Sequence, residues 1–175
     1  MSTSDEVDRI VDAWQQERPD LDVAPLQVLS RVTRLARHLD IARREAFAAT
    51  DLEPGEFDVL AALRRNGKPY ALTPSALISQ NLVTSGTMTN RIDRLESKNL
   101  VARLPDPTDG RGVLVQLTQS GKSAVDRALE ELLAREKSLL ATISKTDREK
   151  LASVLRNIVL PFDEESAGLD NELKT

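Results

Sequence analysis

Ser85, Thr87, Thr89, Asn90 and Arg94 recur along one side of a short segment whose other side carries Met88, Ile92 and Leu95. The i, i+4, i+7 spacing of the three apolar residues predicts a helix with a single buried stripe. The polar set consists of hydroxyls, an amide and a guanidinium. Such short donors and acceptors let a helix come close to the base edges and phosphates of duplex DNA. Arg111 adds a cation on a turn-rich tip, Pro105-Asp-Pro-Thr-Asp-Gly-Arg111, suited to a phosphate or a narrow minor groove. A solvated helix face beside a surface hairpin would explain the residue types, but not the order of elements around them.

Chemistry of other kinds is poorly supplied. The 175 residues contain no cysteine and one histidine, His38, which leaves no thiolate metal site, disulfide framework or thiol redox sensor. Asp58 with His38 makes no convincing acid–base pair, and neither a phosphate loop nor an activated nucleophile is recognisable. No enzyme is therefore expected, with no catalytic residues, no metal and no cofactor. His38 reads as a solvated or interface residue, with a pH-sensing role as its alternative. No apolar run approaches the length of about 18 residues that a membrane span needs. The acidic start MSTSDEVDR lacks a signal-peptide apolar region, so a cytoplasmic protein with no membrane partner is expected.

The elements that must position the polar helix can be read along the chain. Thr3 and Glu6 have capping-box spacing, and Val7, Ile10, Val11 and Trp14 continue a helix that Pro19 stops. A long helix follows from about Pro25 to Ala49, and another over 54–66 with Pro54 in its first turn and Gly67 at its end. Thr73-Pro74 opens a short helix carrying Leu77 and Ile78. Thr84-Ser85 then caps the polar helix, which Lys98-Asn99 ends. Leu100–Leu104 and Gly112–Leu117 are strand-like and flank the turn-rich tip, forming a hairpin. Thr118 starts a helix to about Ile143, and a capping box at Thr146–Glu149 opens the last one. The fold class is thus mainly α with a small β-hairpin wing: two short helices joined by a tight turn, then a hairpin, make a winged helix-turn-helix.

Charge follows the same organisation. The chain is net −4, but residues 64–117 carry 8 Lys/Arg against 4 Asp/Glu, while residues 1–63 carry 7 against 13. Salt screens charges beyond roughly 8–10 Å, so a phosphate backbone feels the basic middle and not the acidic total. The apolar stripes at 125–140 and 151–159 exceed what one small winged domain can cover, and area of that kind is core or interface. One short recognition helix makes few contacts, and two about one turn apart (~34 Å) double the readout. A homodimer through the terminal helices is expected. One winged-helix domain over 1–162 results, with 73–117 facing DNA, 1–50 and 118–162 dimerising, and 163–175 an acidic flexible tail.

The motifs together resemble one family. Leu72-Thr-Pro-Ser-Ala-Leu77, Thr84-Ser-Gly-Thr-Met-Thr-Asn-Arg-Ile-Asp-Arg-Leu-Glu96, Asn99-Leu-Val-Ala-Arg103, Asp106-Pro-Thr-Asp-Gly-Arg-Gly112 and Leu117-Thr-Gln-Ser-Gly121 are similar to the MarR regulators. The resemblance covers roughly residues 25–160. Asn99 stands where a glycine is common, and Gly110 where an arginine is frequent, which removes one wing charge. The resemblance implies an obligate homodimer on a pseudo-palindromic operator, acting as a transcriptional regulator, most often a repressor. The extra first helix, with Trp14-x-x-Glu-Arg-Pro-Asp-Leu-Asp22, is similar to the urate-responsive subgroup. That likeness implies an effector pocket lined by Trp14, Asp58, Arg65 and Arg91. An indole and guanidinium forks suit a flat anion such as urate, with a phenolic or other aromatic anion as the second choice. Bland roles stand beside these: Trp14 as a packing anchor, Asp58 and Arg91 as a structural ion pair, Arg65 as positive field. The functional alternative is a winged-helix protein-interaction module without specific DNA binding.

Overall fold

Asp5, not Thr3, begins the first helix. In the computed structural model, which describes residues 4–107, 109 and 112–172, helix α1 spans Glu6–Glu17. Asp5 Oδ1 accepts from Val7 N at 2.8 Å and Asp8 N at 3.1 Å, while Asp5 N donates to Asp8 Oδ2 at 2.8 Å. Two aspartates three apart complete the capping box as well as Thr and Glu would, and Thr3 lies outside the described residues. Val7 and Val11 of α1 pack with Val23 and Leu26 in a small cluster of their own. Arg31, on helix α2 (Ala24–Ala48), clasps the cap of α1 through Asp5 (2.9 Å) and Asp8 (2.7 Å).

The chain divides into two compact units, Met1–Arg135 and Glu136–Thr175. The core of the first is built around helix α3 (Pro54–Arg65), in which every residue from Val59 to Leu63 is buried, with Phe57. Phe57 stacks on Phe47 of α2 with ring centroids 4.3 Å apart, and the Arg43 guanidinium lies over both rings. Gly67 closes α3 in the left-handed region (φ 76°), which glycine adopts without steric cost.

Helix α4 (Pro74–Asn81) and helix α5 (Ser85–Ser97) pack on α3. Their caps are the expected ones: Thr73 accepts from Ala76 N (3.2 Å) and Thr84 from Thr87 N (3.4 Å). The turn between them passes through Leu82 in the left-handed region (φ 50°), and Asn99 does the same after α5 (φ 55°). Strands β2 (Val101–Pro105) and β3 (Val113–Leu117) form the wing hairpin, with Val101 opposite Leu117 and Pro105 opposite Val113. A third strand, β1 (Ala71–Leu72), pairs antiparallel with the far edge of β3, giving the order β1-β3-β2. Two residues are too few to show an alternating pattern, so the sequence did not reveal it.

Helix α6 spans Gln119–Leu139, shorter than the predicted end at Ile143. Thr118 accepts from Gly121 N at 2.9 Å and donates to Asn99 O at 2.8 Å, tying the start of α6 to the end of α5. In the second unit, helix α7 runs over Lys145–Glu172. Its opening cap is Ser144, which accepts from Asp147 N at 3.1 Å and donates to Asp147 Oδ2 at 2.6 Å, in place of the expected Thr146–Glu149 box. Its backbone is helical into the segment expected to fray after residue 162.

Two predictions follow from this packing. A methyl on Gly121 would stand 1.9 Å from the Leu100 carbonyl oxygen, and fixed backbone cannot yield as a side chain can. Gly121→Ala should therefore lower unfolding stability by about 1–3 kcal/mol in urea titration. At the other end, hydrogen bonding to Arg31 holds the Asp5 carboxyl below the usual carboxylate range, and the Asp5 amide with Arg31 does the same for Asp8. A depressed carboxyl stabilises the folded form above the unfolded pKa and loses that effect as pH falls through the folded one. Attachment of α1, read by Trp14 fluorescence, should hold at neutral pH and weaken on acidification below the usual carboxylate range. Arg31→Gln should shrink that step, leaving the part that the backbone hydrogen bonds to Asp5 and Asp8 supply.

Candidate nucleic-acid interface and effector residues

The orientation of α5 is set by its buried stripe. Met88, Ile92 and Leu95 are 1%, 2% and 0% exposed, whereas Ser85, Thr87, Thr89, Asn90 and Arg94 all face solvent. The polar residues identified from sequence on this helix therefore share its outward side. Thr87 Oγ1 and Thr84 Oγ1 lie 3.0 Å apart, and the Thr89 hydroxyl donates to Ser85 O at 3.0 Å. Each hydroxyl is thus held in one direction by its own helix while keeping oxygen lone pairs for an outside donor. Arg111 lies outside the described residues. The wing around it is closed by Asp106 N donating to Gly112 O (2.9 Å) and Gly112 N to Asp109 O (2.8 Å).

Several charged residues that the sequence reading did not single out fix α5 to its neighbours. Arg103 of β2 forms ion pairs with Asp93 and Glu96, linking wing to helix. These hydrogen bonds, Asp93 first, raise the guanidinium pKa further. Glu56 of α3 is 1% exposed and lies 3.0 Å from Lys98 Nζ and 3.1 Å from Arg94 Nε. Arg91, Arg94 and Lys98 stand at i, i+3 and i+7, one side of a helix, and that spacing was the available clue. All three turn toward the start of α3: the Arg91 guanidinium covers Gly55 so closely that an added Cβ would meet its Cζ at 2.5 Å. Arg94 and Lys98 line a cleft of about 570 Å³ with Arg44, Asp51 and Glu53.

The four expected effector residues have distinct surroundings. Trp14 is 50% exposed on α1, Arg65 is exposed at the end of α3, and Arg91 is half-buried over Gly55. Asp58 is half-buried, and its ion-pair partner is Arg43 at 2.6 Å, not Arg91. That correction has a simple cause: Arg43 is already anchored over the Phe47 and Phe57 rings beside Asp58. His38 is exposed and lines a second cavity of about 360 Å³ with Arg34, Arg37 and Ile41. Among the described residues no group of three or more His, Asp or Glu side chains could hold a metal ion, and no helix is long and apolar enough to cross a membrane.

Helix-turn-helix, a three-stranded sheet ending in the wing hairpin, and an outward polar face define a winged-helix DNA-binding architecture. The sequence model of the MarR family matches residues 50–112. The chain is 37% identical over 153 residues to the HTH-type transcriptional regulator PecS of Dickeya dadantii, covering 87% of this chain and 92% of PecS. It is 28% identical over 153 residues to the HTH-type transcriptional repressor NicR of Pseudomonas putida, covering 85% and 93%. The crystal structure of a mutant E. coli MarR complexed with operator DNA superposes with a TM-score of 0.67 at 27% identity, covering 79% of this chain and 99% of that one. The protein belongs to the MarR family of transcriptional regulators and is not an enzyme.

The facing of α5 has a direct energetic signature. Leu95→Ala should cost about 2–5 kcal/mol because it empties a fully buried site. Asn90→Ala, on the same helix, should stay within about 0.5 kcal/mol. Chemical denaturation of both variants checks the contrast.

Proposed function

We propose that the protein binds a pseudo-palindromic DNA operator as a homodimer and represses transcription until a small aromatic anion releases it. The observation that carries this reading is the outward set Ser85, Thr87, Thr89, Asn90 and Arg94 on a helix whose opposite stripe is fully buried. In the major groove, Asn90 is the candidate for base-edge contact and the hydroxyls and Arg94 for phosphates. Arg111, which the sequence places between the two wing strands, is the candidate for contact with the adjoining backbone or minor groove. The operator complex of the MarR relative and the repressor role named for NicR support the reading.

Dimerisation is supported by apolar side chains left exposed in each unit. Val28, Leu29, Val32 and Leu35 are between 41% and 54% exposed on α2, and Val154, Ile158 and Val159 are between 42% and 56% exposed on α7. A second copy of the chain covers them, and the terminal helices are the interface.

For the effector, the leading choice is urate, with another aromatic anion such as salicylate second. Trp14 supplies a flat apolar surface, Arg65 and Arg91 planar donors. Arg91 belongs to the DNA-reading helix, and Asp58 already has its own cation in Arg43. An anion that recruits Arg91 away from Gly55 therefore shifts α5 without first breaking the Asp58 pair. Coupling of this kind is typically worth about 1–3 kcal/mol.

Mobility-shift titration with duplex from the gene's own upstream region, at stated salt, tests the DNA reading. Arg94→Ala should weaken binding uniformly across sequences and reduce the salt slope by about one, whereas Asn90→Ala should change sequence preference. Absence of retardation at any salt favours the protein-interaction module instead. Calorimetry with urate and with salicylate, on the unaltered protein and on Arg91→Ala, tests the pocket: urate heat should appear and then fall in the variant. No urate heat, or unchanged heat in Arg91→Ala, contradicts the assignment.

A further inference from the structure

Among the described residues Glu56 is the one charged or polar side chain in the buried set. A buried carboxylate is costly unless compensated by charge and hydrogen bonds. Its compensation is divided between two helices. Oε2 accepts from Glu53 N at 2.9 Å, completing the cap of its own helix, and from Lys98 Nζ at 3.0 Å. Oε1 lies 3.1 Å from Arg94 Nε and has no well-aligned hydrogen bond. The helix cap alone does not explain the charge, because a neutral glutamine caps a helix at this position equally well. What the charge matches is a pair of cations, Arg94 on α5 and Lys98 at its C-terminal cap.

We propose that Glu56 is a positioning residue for DNA reading: its buried carboxylate sets where Arg94 and Lys98 stand, and with them the seat of α5. The proposal rests on the DNA reading of α5 given above. Arg94 is 58% exposed although its Nε sits against a buried oxygen, so the base of the guanidinium is anchored and the rest remains open to solvent. Lys98 is 28% exposed and also donates to Asp51 O at 2.6 Å, which leaves it on the protein side of the clamp. Rotating or sliding α5 would strip both cations from a carboxylate that water does not reach. Arg94 is one helical turn from Asn90, so fixing it fixes the register in which the polar face meets the duplex.

The sign of the effect separates this role from a general electrostatic one. Removing a negative charge beside a DNA-facing helix should strengthen binding through the field alone. Loss of positioning should weaken it. Glu56→Gln keeps size and cap and removes the charge. It should weaken operator affinity by about tenfold and lower the salt slope by about one, as Arg94→Ala does. In an Arg94→Ala background it should cost less than in the unaltered protein, because the two changes share the Arg94 contact and only the Lys98 half of the clamp is left to lose. Glu56→Asp keeps the charge and withdraws it by one methylene. It should also lose affinity, and it carries the test if the glutamine variant does not fold by circular dichroism. Binding by Glu56→Gln as tight as or tighter than the unaltered protein, losses that multiply with Arg94→Ala, or full affinity in Glu56→Asp would each overturn the proposal. Failure of the unaltered protein to retard any duplex would instead overturn the DNA reading beneath it.

Discussion

Burial of Met88, Ile92 and Leu95 is the constraint on which the site depends. Each such side chain contributes about 1.5–3 kcal/mol when removed from water, so turning α5 to hide its polar face would forfeit several kcal/mol. The alternating chemistry of thirteen residues thereby becomes a geometry: three apolar anchors inward, hydroxyls, amide and guanidinium outward. The anchors have somewhere to go because α3 is buried along nearly its whole length and α4 closes the side. Gly121 lets α6 approach the Leu100 carbonyl, which ties the helix-turn-helix to the sheet and the wing.

Charge refines what the apolar contacts set. The sides of α5 are clamped at three points, by Arg103 from the wing, by Glu56 from α3, and by Arg91 lying over Gly55. A helix held by packing alone can shift slightly within its groove. One also held by ion pairs to two separate elements has a narrower set of positions, and a ligand that captures one of its cations has leverage over all of them. The Asp58–Arg43 pair belongs to α3 and α2 and does not engage Arg91, which is the cation that the proposed effector would capture.

Local signals were legible in the sequence and remote ones were not. The caps at Thr73 and Thr84, the stop at Gly67 and the stripe of α5 follow from residues within one or two turns of one another, where spacing is informative. The caps at Asp5 and Ser144 went to neighbours of the expected threonines, because several oxygen-bearing residues near each helix start can serve. The partner of Asp58 could not be read: Arg43 is 15 residues away, on another helix, and its position is decided by two stacked rings. Glu56 was hidden for the same reason, since its cations lie 38 and 42 residues onward and only packing reveals its burial. The outward side chains of the candidate interface needed just the helix and its stripe, so their facing was predictable while their clamps were not.

The most direct test of the central claim is a backbone and methyl NMR titration of the protein with a duplex it retards. Amides from Ser85 to Asn90 should shift first and furthest, with the Met88 and Ile92 methyl signals nearly still, since they stay packed beneath the contact surface. Shifts confined to other elements, or movement of the buried methyls without the outward amides, would contradict the account.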